Sequence, residues 1–235
     1  MDIQILWLVL SLLTPRWRGD GQDPADRLAA LRNQMVETQI ASRGIKDPGV
    51  LAAMRRVPRH LFVPDFEVEN AYDDRPLPIG HGQTISQPYI VALMTELARP
   101  GPADRVLEVG TGSGYQAAVI AGLVSHVFTM EIVEPLADQA RARLASLGVK
   151  NVTVRTGDGY SGWPEQAPFD IILVTAAPER VPPALIEQLK PGGRLVIPVG
   201  SVYDLQELQL IEKTKDGRLR TEHITGVRFV PMRRK

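Results

Sequence analysis

The sequence predicts a doubly wound α/β fold, in which helices precede a mostly parallel sheet and an antiparallel hairpin ends it. Apolar runs of strand length alternate with helical patterns from residue 105 onward, and such alternation is typical of a parallel sheet covered on both faces. The run Ile171-Ile172-Leu173-Val174 is apolar throughout, as a strand buried on both faces should be. Near the end, Asp216-Gly217 lies between two strand-like runs and favours a hairpin.

Two amphipathic helices and an irregular segment are predicted before this alternation. Apolar residues recur with a helical period from Ala25 to Arg43, and Gly44 marks the stop. Asp47-Pro48 opens a second helix that runs to Val57, because Asp suits the cap and Pro suits the first turn. Five prolines between residues 58 and 88 exclude regular structure there. Long irregular segments in compact domains are usually functional or disordered, and the apolar residues of this one favour order, so we expect the substrate side there.

The remaining elements follow in chain order. Strands are predicted at 105–109, 127–130, 152–154, 171–174 and 195–199, helices at 89–97, 115–123, 133–147 and 183–189, and the hairpin strands at 205–213 and 218–229.

Composition excludes several classes of protein. With 235 residues, 44% of them hydrophobic, the chain can bury one good core. Its 27 basic and 27 acidic residues balance. The sequence has no cluster of basic residues that would indicate nucleic acid as a partner. The lack of cysteine excludes disulfides, thiolate catalysis and cysteine-ligated metals. The four histidines show no paired spacing, so we predict no metal site.

Residues 1–24 are interpreted as an apolar N-terminal extension that precedes the domain. The stretch from Ile3 to Leu13 is almost wholly apolar, but a membrane-spanning helix needs about 20 such residues. Its length suits a signal peptide, yet Asp2 stands where a basic residue is expected and no clear cleavage site follows. A signal, an apolar arm and a start codon assigned upstream of the true one remain alternatives. We expect a single domain at 25–235, with its helical and substrate segment at 25–100.

The most informative stretch is a glycine-rich loop that follows the strand at 105–109. Gly110, Gly112 and Gly114 alternate there, and glycines permit tight turns and close approach of the backbone to a ligand. The pattern alone is ambiguous, because an offset reading from Gly112 to Ala117 matches the Gly-x-Gly-x-x-Ala form of a nicotinamide site. The sequence therefore predicts a nucleotide-cofactor loop.

Acidic residues at three strand ends narrow the choice of cofactor. Glu108 precedes the loop, Glu131 ends the next strand and is placed to accept bonds from ribose hydroxyls, and Asp158 follows the third strand, where we expect it to recognise adenine. Together these features resemble the pattern of S-adenosylmethionine methyltransferases. The candidate cofactor-binding residues are Glu108, Gly110, Gly112, Ser113, Gly114, Glu131, Asp158 and Gly159. We expect Tyr115 to pack beside the cofactor or in the core.

Further motifs resemble the bacterial form of one family, the protein-L-isoaspartate O-methyltransferases. The resemblance covers about residues 30 to 235, and only the N-terminal extension departs from it. The matching segments are 77–80 (Leu-Pro-Ile-Gly), 83–88 (Gln-Thr-Ile-Ser-Gln-Pro), 108–115, 157–159, 167–170, 174–178, 191–195 and 227–231. The resemblance implies a seven-stranded, Rossmann-like methyltransferase sheet and S-adenosylmethionine as cofactor.

The resemblance also implies an activity, the repair of aged proteins. Members methylate the free carboxylate of L-isoaspartyl residues, and the ester collapses to a succinimide that hydrolyses partly to aspartate. The implied partners are isoaspartyl proteins and peptides, and we expect a monomer in the cytoplasm without a stable membrane partner. If residues 3–13 are a signal peptide, the location is periplasmic. Two rival classes are a methyltransferase for small molecules and a non-catalytic nucleotide-binding module.

The resemblance implies that Ser86 is the catalytic residue. A hydroxyl there can donate to the substrate carboxylate, and without a nucleophile elbow or a His/Asp pair we do not expect a covalent nucleophile. The residues alone favour another role, in which Ser86 caps the helix that begins at Gln87-Pro88, and both can hold. The residues expected to border the bound peptide are Gln83, Thr84, Ile85 and Val230; packing of the loop and strand explains them equally well.

Overall fold

The computed structural model describes residues 24–201 and 203–234 of the chain. The expectations for a signal peptide or an apolar arm therefore lie outside the described residues, apart from Pro24, which begins the first helix. Within the described residues, no helix is both long enough and apolar enough to cross a membrane.

The N-terminal part consists of short helical segments. Helix α1 spans Pro24–Met35 and continues as a π-helical turn and a 3₁₀ turn up to Arg43, so the predicted single helix changes its winding. Gly44 follows in the left-handed conformation with φ of +99°, which is why glycine suits this stop. Helix α2 spans Pro48–Arg56, and the Asp47 carboxylate accepts from the amide of Val50 at 2.9 Å, as predicted for a cap.

The prediction that residues 58–87 contain no regular structure is wrong. Besides two 3₁₀ turns at Arg59–Phe62 and Asp65–Asn70, the segment forms a hairpin of strands β1 (Leu77–Gly80) and β2 (Gln83–Ile85). A two-stranded hairpin has two edges, so Pro78 is tolerated there. His81 and Gly82 both have positive φ, as a tight hairpin turn with φ above zero at both central positions requires.

The rest of the chain alternates between helices and strands before it ends in the hairpin. The elements are α3 (Pro88–Ala98), β3 (Arg105–Val109), α4 (Tyr115–Ala121), β4 (His126–Glu131), α5 (Glu134–Ser146), β5 (Val152–Thr156), β6 (Phe169–Val174), α6 (Pro183–Gln188), β7 (Leu189–Val199), β8 (Gln206–Lys213) and β9 (Leu219–Val227). The seven-stranded sheet has the order β5-β4-β3-β6-β7-β8-β9. Its first four neighbouring pairs are parallel and its last two are antiparallel. The predicted fold class is confirmed.

Strand β7 is longer than the predicted 195–199. It begins at Leu189, directly after α6, and includes Pro191-Gly192-Gly193, which lie between the predicted helix at 183–189 and the predicted strand. The pairing with β6 jumps from Phe169–Leu189 to Ile171–Arg194, so these residues form an irregularity within the strand. Proline and glycine tolerate such a bulge because it interrupts the ladder.

Strands β3 and β6 lie at the centre of the sheet. Ile171 and Leu173 belong to the core cluster that includes α4, whereas Ile172 and Val174 belong to the cluster on the opposite face, which includes α6. All four side chains are at most 2% exposed, which explains the unbroken apolar run. Each contributes roughly 1.5–3 kcal/mol by leaving water, so this core fixes the strand ends where the candidate site lies.

Candidate active site

The described residues enclose a cleft at the carboxyl ends of β3, β4 and β6, which we call the glycine-loop cleft. The space between its walls, counted out into the open mouth, is about 780 Å³. Its lining residues are Gln83, Thr84, Ile85, Ser86, Val91, Val109, Gly110, Thr111, Gly112, Ser113, Tyr115, Gln116, Met130, Glu131, Ile132, Gly157, Gly159, Thr175, Ala176, Val230, Pro231, Met232 and Arg233. Nine of the twelve predicted cofactor and substrate residues thus come together here: Gln83, Thr84, Ile85, Gly110, Gly112, Ser113, Glu131, Gly159 and Val230.

Only glycine fits at the first position of the loop. Gly110 has φ of +100°, and a Cβ atom there would lie 2.4 Å from the Oγ1 atom of Thr175. Thr175 cannot move aside without losing a hydrogen bond, because its hydroxyl donates to the carbonyl of Gly110 at 2.6 Å. Gly112 and Gly114 also have positive φ. The loop therefore presents bare backbone to the cleft.

Glu131 closes one side of the loop. Its Oε2 atom accepts from the amide of Gly112 at 2.8 Å, and its Oε1 atom accepts from the amide of Val133 at 3.0 Å. The side chain is only 6% exposed and lines the cleft. Two backbone donors thus hold the carboxylate in one orientation while lone pairs remain to accept bonds from a ligand.

Glu108 lies beneath the loop and does not line the cleft. It is fully buried, and its Oε2 atom accepts from the hydroxyl of Thr129, which in turn is 2.6 Å from the hydroxyl of Thr111. Burial raises the pKa of Glu108 to about 8; the hydrogen bond from Thr129 opposes the shift, and the nearby charge of Glu131 adds to it. Glu108 therefore supports the loop from inside the core.

Replacing Glu108 by Gln is expected to remove a pH dependence of stability. The ordinary pKa of this carboxyl is 4.5, so between about pH 4.5 and pH 8 the folded protein holds a proton that the unfolded chain has lost. The free energy of unfolding of the native protein falls as the pH rises through this window, whereas the variant does not titrate. The melting temperature of Glu108→Gln relative to the native protein should rise from about pH 5 to about pH 8. A difference that stays constant would contradict the buried, protonated carboxyl.

One carboxylate oxygen of Asp158 already accepts a hydrogen bond from the nearby backbone. Its Oδ1 atom accepts from the amide of Tyr160 at 2.9 Å and caps a 3₁₀ turn, and its side chain is not among those lining the cleft. The neighbouring Gly159 does line it, and a Cβ atom at that position would lie 2.2 Å from the Cγ1 atom of Val109. A role for Asp158 in adenine recognition therefore depends on its second oxygen.

Ser86 occupies the junction of two cavities. It follows β2, and the residue that caps α3 is Gln87, which makes no side-chain cap. The interpretation of Ser86 as the helix cap is therefore wrong. A hydroxyl that is not used by the helix remains available for a ligand.

The second cavity, which we call the β9 groove, encloses about 960 Å³ including open space. It shares Thr84, Ser86 and Thr175 with the glycine-loop cleft. Its lining residues are Pro76, Thr84, Ser86, Gln87, Ile90, Thr175, Leu205, Gly226, Val227, Arg228 and Phe229.

The predicted substrate residues occupy different positions around this junction. Thr84 is exposed and lines both cavities, whereas Ile85 is buried and Gln83 and Val230 line only the cleft. The carbonyl of Val230 accepts from the amide of Ala177 at 2.9 Å, which fastens the C-terminal segment beside β6.

Two side chains that hydrogen-bond to the backbone of the loop were not among the predicted residues. Thr175 bonds the loop from β6, and Arg143 of α5 donates from Nη1 to the carbonyl of Ser113 at 2.8 Å. The matching segment at 174–178 contains Thr175, but it gives no sign of that bond. Among the described residues, no group of three or more His, Asp or Glu side chains is arranged to hold a metal ion.

Comparison with known proteins decides the family. The model of the Protein-L-isoaspartate(D-aspartate) O-methyltransferase (PCMT) family matches residues 30–235. A protein named Protein-L-isoaspartate O-methyltransferase 2 from Polaromonas sp. (strain JS666 / ATCC BAA-500) is 62% identical over 204 residues, which are 87% of this chain and 95% of that protein. This chain belongs to the PCMT family. It is an S-adenosylmethionine-dependent methyltransferase that acts on isoaspartyl residues of proteins.

Solved structures of PCMT proteins share the fold. A structure described as a protein-L-isoaspartate O-methyltransferase has a TM-score of 0.77 and 30% identity; the match covers 85% of this chain and 65% of that one. A Plasmodium falciparum PCMT protein, solved with S-adenosyl-L-homocysteine, has a TM-score of 0.73 and 26% identity; the match covers 86% of this chain and 98% of that one.

The residues of the glycine-loop cleft fit S-adenosylmethionine. Gly110 leaves the backbone bare where no side chain could be accommodated, and the fixed carboxylate of Glu131 suits the two hydroxyls of a ribose. Met130 and Ile132 add apolar walls beside Glu131. The cleft thus combines polar and apolar groups in the way that a nucleoside cofactor requires.

Proposed function

We propose that this PCMT enzyme methylates its substrate where the glycine-loop cleft meets the β9 groove, with Ser86 holding the isoaspartyl carboxylate. One observation carries the proposal: Thr84, Ser86 and Thr175 line both cavities. A donor in the cleft and a polypeptide in the groove therefore approach each other at these residues. No other role in the fold uses the hydroxyl of Ser86 among the described residues.

The reaction needs positioning more than acid or base catalysis. When bound, S-adenosylmethionine supplies a sulfonium methyl group, a strong electrophile. The substrate carboxylate is already ionised at neutral pH, so a base is not required, and correct placement of the reactants provides much of the acceleration. The hydroxyl of Ser86 donates to one carboxylate oxygen and leaves the other free to attack.

Side chains around the cleft have separate roles in holding the cofactor. Gly110, Gly112, Ser113 and Gly114 form the loop that approaches it, and Glu131 accepts from the ribose hydroxyls. Gly159 would leave room beside the bound nucleoside, and the second carboxylate oxygen of Asp158 would be the group that accepts a hydrogen bond from its adenine. Glu108 acts indirectly, by supporting the loop through Thr129.

The substrate polypeptide lies along the β9 groove. Thr84 contacts it from the hairpin, and Gln83, Ile85 and Val230 shape the entrance to the cleft. Methylation turns one carboxylate oxygen into a methoxyl leaving group. The neighbouring backbone amide nitrogen of the substrate then attacks the ester carbonyl, methanol departs and a succinimide forms, and hydrolysis returns part of it to normal aspartate.

The enzyme works as a monomeric cytoplasmic protein whose single domain spans residues 25–235, without nucleic acid or a stable membrane partner. The 27 basic and 27 acidic residues balance, so no net charge attracts nucleic acid or an anionic membrane. Sedimentation of the purified protein and fractionation of cells test these assignments, and a periplasmic location would indicate that residues 3–13 act as a signal.

The test of the function is transfer of labelled methyl from S-adenosylmethionine to a peptide that contains L-isoaspartate. The control is the same peptide with normal aspartate. Base-labile label on the isoaspartyl peptide alone is the expected result. Equal labelling of both peptides, or of neither while the cofactor still binds, would overturn the function in favour of another methyl acceptor or a binding module.

A further inference from the structure

The β9 groove has only one charged lining residue. Its walls are apolar or neutral, including Ile90, Val227 and Phe229, and the single charge is the guanidinium of Arg228. Leu205, which is 76% exposed, borders the same groove. A polypeptide in this groove therefore meets apolar surface and one cation.

Arg228 has no counter-ion among the described residues. Arg194 on β7 pairs with Glu212, and Arg218 in the β8–β9 turn pairs with Asp216. Arg228 is exposed and makes no hydrogen bond or ion pair with any described residue. Its charge is therefore available to a bound chain.

A carboxylate on the substrate is the group that such a cation attracts. The isoaspartyl carboxylate itself is placed at Ser86, so Arg228 faces the residues that flank it along the groove. An exposed ion pair changes affinity by up to about fivefold. A lysine in the flank meets repulsion of similar size.

We propose that Arg228 makes this enzyme prefer isoaspartyl sites with a nearby acidic residue over sites with a nearby basic residue. The inference rests on the proposed placement of the substrate in the β9 groove. It assigns Arg228 a role in specificity and none in the chemical step.

The test uses isoaspartyl peptides that differ only in flanking residues, with Glu, Gln or Lys placed one and two positions away on either side in separate peptides. The enzymes are the native protein, Arg228→Gln and the control Arg220→Gln. Arg220 is an exposed arginine on β9 that lines a different cavity, so its replacement makes the same change of charge outside the groove. The readouts are kcat/KM and peptide binding by fluorescence anisotropy in the presence of S-adenosylhomocysteine.

For the native enzyme and Arg220→Gln, the best-placed Glu flank should raise kcat/KM about threefold over Gln, and Lys should lower it about threefold. Arg228→Gln should remove both differences, in binding as in turnover. In the native enzyme, the differences in kcat/KM between the Glu, Gln and Lys flanks should shrink between about 20 mM and about 300 mM salt, because salt screens the charges.

Two results would overturn the assignment. A uniform loss of kcat/KM in Arg228→Gln for every flank would place the cation at the reacting carboxylate, and a preference that survives the replacement would remove Arg228 from specificity. No transfer to any isoaspartyl peptide by the native enzyme would instead overturn the proposed function together with this inference.

Discussion

Gly110→Ala is expected to weaken the binding of S-adenosylmethionine strongly. The new Cβ atom would lie 2.4 Å from the Oγ1 atom of Thr175, at a backbone φ of +100°. The left-handed conformation costs about 1–2 kcal/mol for a residue other than glycine, and the overlap forces the loop away from β6. We expect the dissociation constant, measured by calorimetry, to rise at least about 100-fold, which corresponds to about 2.7 kcal/mol.

The matched control is Gly44→Ala. Gly44 has φ of +99°, but a Cβ atom there meets nothing within 4 Å, so the variant carries the strain without the overlap. Its affinity for the cofactor should stay within about twofold of the native value, while its melting temperature falls by a few degrees. Equal loss of affinity in both variants, or native affinity in Gly110→Ala, would contradict the account of the loop.

The sheet was predicted from the sequence because the residue types that suit each strand locally are also those that its burial in the fold requires. Ile171 to Val174 are buried on both faces, so burial demands apolar residues at every position of that strand. Asp47 and Gly44 sit at helix ends where the backbone itself requires their residue types. The helices and strands that carry these signals were predicted with errors of only a few residues at their ends.

The prediction missed elements that are stabilised by pairing between strands and that show no hydrophobic pattern of their own. The β1–β2 hairpin contains Pro78 and two glycines, which individually suggest irregular chain, and its strands have four and three residues. The early start of β7 depends on pairing between Leu189 and Phe169 across an irregularity. Neither feature has a periodicity long enough to detect in a sequence.

The glycine-rich loop was predictable, but the junction of the two cavities was not. Alternating glycines after a buried strand indicate backbone approach to a ligand wherever they occur. The β9 groove, in contrast, needs residues from the hairpin, α3, β9 and the segment before β8, including Leu205 and Phe229. Its existence depends on how these elements meet in space, which is why the sequence could name Ser86 only through a family resemblance.

Ser86→Ala is expected to lower kcat strongly while leaving the cofactor site intact. A hydrogen bond to a charged group contributes about 1.5–3 kcal/mol, so loss of the hydroxyl should reduce kcat roughly 10- to 100-fold. Ser86 makes no bond that holds α3 in place, so the melting temperature should change little. Ser86→Thr keeps a hydroxyl and should restore part of the activity.

The control for this prediction is Ser42→Ala. The hydroxyl of Ser42 donates to the carbonyl of Thr38 at 2.6 Å, and Ser42 lines neither cavity. Turnover and cofactor affinity of this variant should match those of the native enzyme.

The most direct test of the account is kcat of Ser86→Ala on an isoaspartyl peptide at saturating S-adenosylmethionine, measured beside the dissociation constant of the cofactor. We expect a fall in kcat of about 10- to 100-fold with a dissociation constant within about twofold of the native value. Native turnover in the variant, or loss of cofactor binding in parallel with turnover, would contradict the placement of the substrate carboxylate at Ser86.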